Sequence, residues 1–342
     1  MDITLGRPAT SPSPSTTRQL TTYSFRRLTT FAVLPPGAIG AALMLGLWIN
    51  TAAAQQPPPP QQPQSQQQPP QQQPPLAPPP PLQPLPVPSQ PQEDVVLVPH
   101  RATYDMKLAD GRQATSGVAD VTGRMVLETV DSCDGWEIKQ RIKLSFVRND
   151  GEEFETDSNF TSYESKDGLA LRFSVRNTQN DEVEEELRGQ ADLESLGGKG
   201  RASFTLPEAR SFDLPVGTMF PTTHLMQIIR HARAGEKAVT YTVFDGARLD
   251  GAFHVNAVIG KSPKPAVGAP PMRGDLGLMR NVPSWGVRFA FFAADDQGAQ
   301  PEYELALDLL ANGIARSMQI DYGDFAVDAR LIQLQALQRP KC

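Results

Sequence analysis

The chain has 342 residues, 39% of them hydrophobic, with 33 prolines, two cysteines and a formal net charge of −6. Four basic residues and one acidic residue fall within 1–54, so the remainder carries 28 Lys and Arg against 37 Asp and Glu, a net charge of −9. Such a surface repels phosphate backbones and anionic headgroups, which excludes nucleic acid and anionic membrane surfaces as general partners.

Residues 1–54 are expected to form an export signal. Arg18, Arg26 and Arg27 make a basic front, "AIGAALMLGLWI" is an apolar run, and Ala52 and Ala54 place small residues before Gln55. The run is short for a membrane span, which needs about 20 apolar residues, and Pro35-Pro36 interrupts its front. An uncleaved N-terminal anchor is the alternative. Beyond it no apolar segment approaches spanning length, so no transmembrane span is expected after cleavage. Residues 55–94 are dominated by Gln and Pro. Having no periodic apolar face to offset the entropy of ordering, they read as a disordered linker, a tether or a proline-motif ligand.

The folded part is expected over 95–342, and its dominant signal is a period of two. In "WEIKQRIKLSF", Trp136, Ile138, Ile142, Leu144 and Phe146 fall on one face, with Glu137, Lys139, Arg141 and Lys143 on the other. In "EYELALDLL", Tyr303, Leu305, Leu307 and Leu309 alternate with Glu304 and Asp308. These are half-buried antiparallel strands. Weaker alternation recurs along the chain, punctuated by turn pairs such as Asp134-Gly135, Asp150-Gly151, Asp167-Gly168 and Asn312-Gly313. The pattern predicts a mainly β meander, one large curved sheet or incomplete up-and-down barrel.

One segment has helical periodicity. In "FPTTHLMQIIRHARAG", Leu225, Ile228, Ile229 and Ala232 form an apolar stripe, with Thr222 or Thr223 as the expected N-cap and Gly235 as the stop. A single amphipathic helix among strands predicts a plug or lid packed on or in the sheet. Residues 262–283 are expected to be a long irregular loop covering part of it.

Exported chains meet oxidising conditions, where two cysteines are expected to pair. Cys133 lies at a turn in "DSCDGWE", and Cys342 is the last residue. An intramolecular bond between them is expected, free thiols or an intermolecular bond being the alternatives. In a curved sheet that does not close, such a bond is expected to fasten the edge that backbone pairing leaves free.

The ordered set "LVPHRATYDMKL", "SGVADVTGRMVLETVDSCDGWE", "LPVGTMFPTTHLMQIIRHARAGE", "VFDG" and "YELALDLLANGIARSMQIDYGDFAVDARLIQLQAL", with its terminal cysteine, resembles the EipB family of cell-envelope integrity proteins. The resemblance covers essentially all of 95–342. It implies a periplasmic protein of Gram-negative bacteria, a β-spiral with a helix associated with its interior, and a disulfide that maps onto Cys133 and Cys342. It implies a role in envelope stress, a link to periplasmic tetratricopeptide-repeat proteins, and a shape similar to the lipoprotein carriers LolA and LolB. It carries over no catalytic residue.

The residues themselves point to no enzyme, cofactor or metal. His224 and His231 share a helix side without further ligands and read as capping or surface groups, "DEVEEE" (181–186) lacks a calcium-loop glycine, and Asp321 and Asp324 read as turn chemistry. Leu225, Ile228, Ile229, Val287, Phe289 and Phe291 are the candidate apolar surface, for a ligand or for helix packing. The expected function is non-enzymatic support of the envelope from the periplasm, through a repeat protein, a lipoprotein or a lipid. A carrier of lipid or acylated protein in an apolar groove is the alternative.

Overall fold

The computed structural model describes residues 94–110, 117–264, 271–293 and 300–342. The expected signal lies outside these residues, as does all of the Gln/Pro segment but Asp94. Strands β1 (His100–Leu108), β2 (Val118–Asp131), β3 (Gly135–Arg148), β4 (Glu153–Ser165), β5 (Ala170–Gln179), β6 (Glu182–Leu193), β7 (Gly200–Leu206) and β8 (Arg210–Leu214) follow one another as an antiparallel meander. The two-residue β9 (Thr218–Met219) leads into helix α1 (Pro221–Ala234). The second half contains β10 (Ala238–Val243), β11 (Phe253–Lys261), β12 (Arg273–Gly274), a short 3-10 turn at Leu276–Met279, β13 (Ser284–Ala293), β14 (Tyr303–Leu310), β15 (Ala315–Asp321) and β16 (Ala326–Ala336).

All the strands join one sheet in the order β8-β7-β6-β5-β4-β3-β2-β1-β16-β15-β14-β13-β11-β10-β9, with β12 added beside β16. The first and last long strands of the fold therefore meet in the middle of the sheet, where β1 and β16 pair along their lengths. The sheet's free edges are β8 and β9, strands consecutive in sequence. This is the expected mainly β, barrel-like architecture, nearly closed and with an unsealed seam.

Alternation explains which face is inside. On β1, His100, Ala102, Tyr104, Met106 and Leu108 are buried in phase, and on β4 the inward phase runs Phe154, Ser158, Phe160, Ser162, Glu164. The seam lacks a backbone ladder and is held by side chains. Phe244, just after β10, meets Phe212 of β8 and Phe173 of β5 at 5.8 Å each, and Phe204 of β7 at 6.4 Å. Aromatic rings from both ends of the sheet thus close the gap. The loop that carries Phe244 lies so close to Phe173 that a Cβ on Gly246 (φ 75°) would approach its ring to 2.2 Å, a position only glycine fills without rearrangement.

The antiparallel meander puts the β2–β3, β4–β5, β6–β7 and β14–β15 turns at one end, with the start of β1 and the end of β16. Helix α1 covers this end. Its Thr223 lies against Gly168 in the β4–β5 turn, and its C-terminal Arg233 reaches the Ala311 carbonyl beside the β14–β15 turn. Gly235 stops the helix in a left-handed conformation (φ 79°), as expected, with its N–H on the Ala232 carbonyl. The start differs from expectation. Phe220 occupies the N-cap and makes no side-chain cap bond, because neither threonine holds that position. The described residues 271–283 of the expected loop are also more regular than that: β12 runs parallel to Gln333–Leu334, and Asp275 receives the Ala336 N–H.

Cys133 and Cys342 are joined, with Cα atoms 5.8 Å apart. The bond does not fasten the open edge. Cys133 sits in the β2–β3 turn and Cys342 follows β16, so the link bridges over β1 between neighbours in the middle of the sheet. The tail is laid across this end by the Leu337 N–H to the Pro99 carbonyl and by Arg339 Nη2 to the Leu97 carbonyl. No helix among the described residues is long and apolar enough to cross a membrane.

Candidate functional site

The buried polar groups of the helix-covered end define the site. Glu164 emerges from the inward phase of β4 at 2% exposure. Its Oε2 accepts the Thr222 N–H at 2.7 Å, and its Oε1 accepts the Thr223 N–H at 2.7 Å and the Thr223 hydroxyl at 2.5 Å. The sheet thereby supplies, at the positive end of the helix dipole, the cap that the helix sequence lacks. Burial raises the Glu164 pKa, opposed by the bonds from Thr223 and Thr222.

Beneath the first turn of α1 a cavity of about 170 Å³ remains between the helix and strands β1–β3 and β13–β15. Phe289 and Phe291 of β13, Leu305 of β14 and Met125 of β2 are buried parts of its wall. Leu127, Ile138, Leu225 and Leu307 also line it and are only half-buried. Two imidazoles complete the wall. His100 is 1% exposed; its Nδ1–H donates to the Val98 carbonyl at 2.7 Å, since a carbonyl only accepts, and its Nε2 is therefore a bare acceptor without a partner. His224 packs edge-on to Tyr241 and tilted on Phe289, and its Nε2 also lacks a partner.

Of the six residues predicted to form an apolar surface, Leu225, Phe289 and Phe291 line this cavity. Ile228 and Ile229 are fully buried in helix packing outside its wall. Val287 is also buried and borders a second cavity, of about 590 Å³, bounded by Val258 of β11, Arg288 of β13 and Arg330 of β16. There Arg316 bonds to Asp308, Ser262 and Ser284. His224 does not cap the helix or face solvent as expected: it falls on the helix face turned into the barrel and is buried among aromatic rings. His231, nearer the helix C-terminus, bonds the hydroxyl of the same Tyr241 that His224 packs against, and pairs with Glu236. His100, Gln140 and Glu164 were not singled out by motif reading. Each is a polar residue in the inward phase of a strand, and that mismatch is the signal that finds them.

Burial depresses the His224 pKa from 6.5 to about 4. A histidine with a lowered folded-state value contributes stability that is complete above its unfolded pKa and is lost as the pH falls. The contribution is expected to fade between pH 6.5 and 4, amounting to about 3 kcal/mol at the acid end. Denaturant titrations of wild type and His224→Leu across this range check it: between pH 6.5 and 4 the variant should lose about 3 kcal/mol less stability than wild type.

The EipB-like family profile matches residues 91–338. The chain belongs to the EipB-like family. Over 243 residues it is 34% identical to the cell envelope integrity protein EipB of Brucella abortus (strain 2308), covering 70% of this chain and 84% of that one. The crystal structure of a beta-barrel-like protein of domain of unknown function DUF1849 from Brucella abortus superposes with a TM-score of 0.64 at 32% identity, covering 71% of this chain and all of the other. An EipB-like chain is thus the setting for the barrel, its covering helix and the cavity below.

Proposed function

We propose that this EipB-like protein is exported to the periplasm and supports the integrity of the cell envelope without catalysing a reaction, by contacting a protein or lipoprotein partner. The observation that carries this reading is the 34% identity to EipB across most of that protein's length, together with a shared barrel-like fold. A periplasmic tetratricopeptide-repeat protein or a lipoprotein is the class of partner it would meet, with lipid as the further candidate. The small size of the space under the helix supports contact over carriage. The helix covers one end of the barrel, and the chamber left under it, about 170 Å³, is smaller than the about 300–1,000 Å³ of ordinary small-molecule sites. An acidic exterior keeps such a protein off anionic headgroups while leaving protein surfaces available.

The test is complementation. The full chain, expressed in a Brucella abortus strain lacking EipB, should restore whatever growth under envelope stress that strain has lost. A form without residues 1–54 should not restore it. A stable, exported full chain that leaves the strain as sensitive as before would overturn the proposal.

A further inference from the structure

We propose that the loop 244–250, which closes the seam of the barrel, is a pH-dependent latch: protonation of the buried Asp245 carboxyl holds it shut, and ionisation loosens it together with the strands on either side, β8 and β10. The device is built into the fold and does not depend on the partner contacts proposed above.

The loop stands where the sheet has no backbone ladder. Phe244 spans the gap to Phe173, Phe204 and Phe212, and its N–H bonds the Met219 carbonyl of β9 at 3.0 Å. Residues 244–247 are all buried, which is unusual for a connection between strands. Asp245 sits among them at 1% exposure. Its Oδ1 accepts the Ala247 N–H at 2.9 Å, while its Oδ2 is buried without a hydrogen-bond partner among the described residues. A carboxylate loses far more than a neutral carboxyl when it is held out of water with an oxygen unsatisfied.

The charges around it add to this cost. Arg248 donates to both oxygens of Asp250, through Nε at 2.9 Å and through Nη2, and to Glu302 through Nη1. Its guanidinium also stands 5.0 Å from the centre of the Phe253 ring. Asp245 acts on the same guanidinium without bonding to it. Three carboxylates against one guanidinium leave two negative charges in excess, so the cluster is relieved by taking up a proton. Asp245 is the member that takes it, because the Asp250 and Glu302 side chains are 50% and 21% exposed and directly paired. Tyr303 of β14 lies within electrostatic reach of Asp245, and Tyr322 within reach of Tyr303. Burial raises both phenols, so neither ionises near neutrality. The rings packed on the loop carry no charge. In keeping with this geometry, burial raises the Asp245 pKa from 3.8 to about 6, opposed by the Ala247 N–H and by Arg248. A raised folded-state value stabilises the closed loop fully below pH 3.8 and progressively less as the pH rises through 6. An open seam would bare the unpaired edge of β8 and the aromatic rings behind it.

Hydrogen exchange followed by mass spectrometry on the full chain tests this, with wild type and Asp245→Asn compared at pH 5 and 7.5 after correction for intrinsic exchange rates. In wild type, opening of residues 210–214 and 238–250 should increase about tenfold from pH 5 to 7.5, the ratio that follows from a carboxyl titrating at 3.8 when open and about 6 when closed. Strands β2 and β3, several strands away in the sheet, should show no such rise. In Asp245→Asn, which keeps an acceptor for Ala247 but cannot ionise, opening of the same segments should be equal at the two pH values. Should that variant not fold, the ¹³C resonance of the Asp245 carboxyl in wild type decides, with an expected midpoint near 6. Equal seam opening at both pH values in wild type, an undiminished rise in Asp245→Asn, or a carboxyl midpoint near 3.8 would overturn the proposal.

Discussion

Cys342→Ser is expected to lower the stability of the folded chain by about 3–5 kcal/mol and its thermal midpoint by roughly 10 °C, while leaving the sheet intact. The bond links residues 209 apart, and the chain-entropy model assigns roughly 5 kcal/mol to closing so long a loop in the unfolded state, with measured bonds commonly delivering less. The fold should survive because the bond is not what brings β1 and β16 together. These strands pair along His100–Leu108 and Val327–Ala336 through their own backbone ladder. What loosens is the tail, residues 337–342, and with it the contact of Arg339 to Leu97. Cys342 is the cleaner position to change, because Cys133 holds a left-handed backbone (φ 66°) that is uncommon for a side-chain-bearing residue. Calorimetry of wild type and variant checks the prediction, and an unchanged midpoint would show that the bond contributes nothing measurable.

Glu164→Ala is expected to cost about 3 kcal/mol or more. The substitution strips three hydrogen bonds from the first turn of α1 and leaves the Thr222 and Thr223 N–H groups without acceptors in a buried setting. Each orphaned donor costs about 1–3 kcal/mol, and loss of a helix cap alone costs about 0.5–2. Relief from burying a carboxylate offsets part of this. Urea unfolding gives the number, and a loss below about 0.5 kcal/mol would mean that the helix start is held by other contacts. The pH dependence separates charge from geometry. Since burial raises the folded-state pKa above the ordinary 4.5, the group favours folding most below that value and progressively less as the pH rises through the raised pKa. Glu164→Gln removes this slope while retaining one acceptor.

Much of the fold was legible because alternation is a local signal. Trp136, Ile142, Leu144 and Phe146 face the core as their spacing predicts, and the helix stripe at Ile228, Ile229 and Ala232 is buried. Turn chemistry at Asp134-Gly135, Asp167-Gly168 and Asn312-Gly313 falls between paired strands. What spacing does not carry is closure. That β1 pairs with β16, so that the disulfide staples the middle of the sheet while β8 and β9 remain its edges, is a long-range fact of register. The helix cap was missed for the same reason: Glu164 lies 58 residues before Thr222, and no local motif joins them. The chamber was half legible. Leu225, Phe289 and Phe291 were on the expected apolar surface, whereas His100 became meaningful only when β1 placed it opposite the helix, with one nitrogen bonded and the other bare.

This EipB-like protein is proposed to work through contacts made by a helix-covered, disulfide-stapled barrel, without carrying lipid. Native mass spectrometry of the protein, released gently and without detergent from cells expressing the full chain, is the test. The predicted result is the mass of the oxidised polypeptide with no lipid or acylated peptide attached, and the same mass after incubation with phospholipid vesicles. A co-purified phospholipid or acylated peptide, released on unfolding the protein, would show that it carries lipid after all.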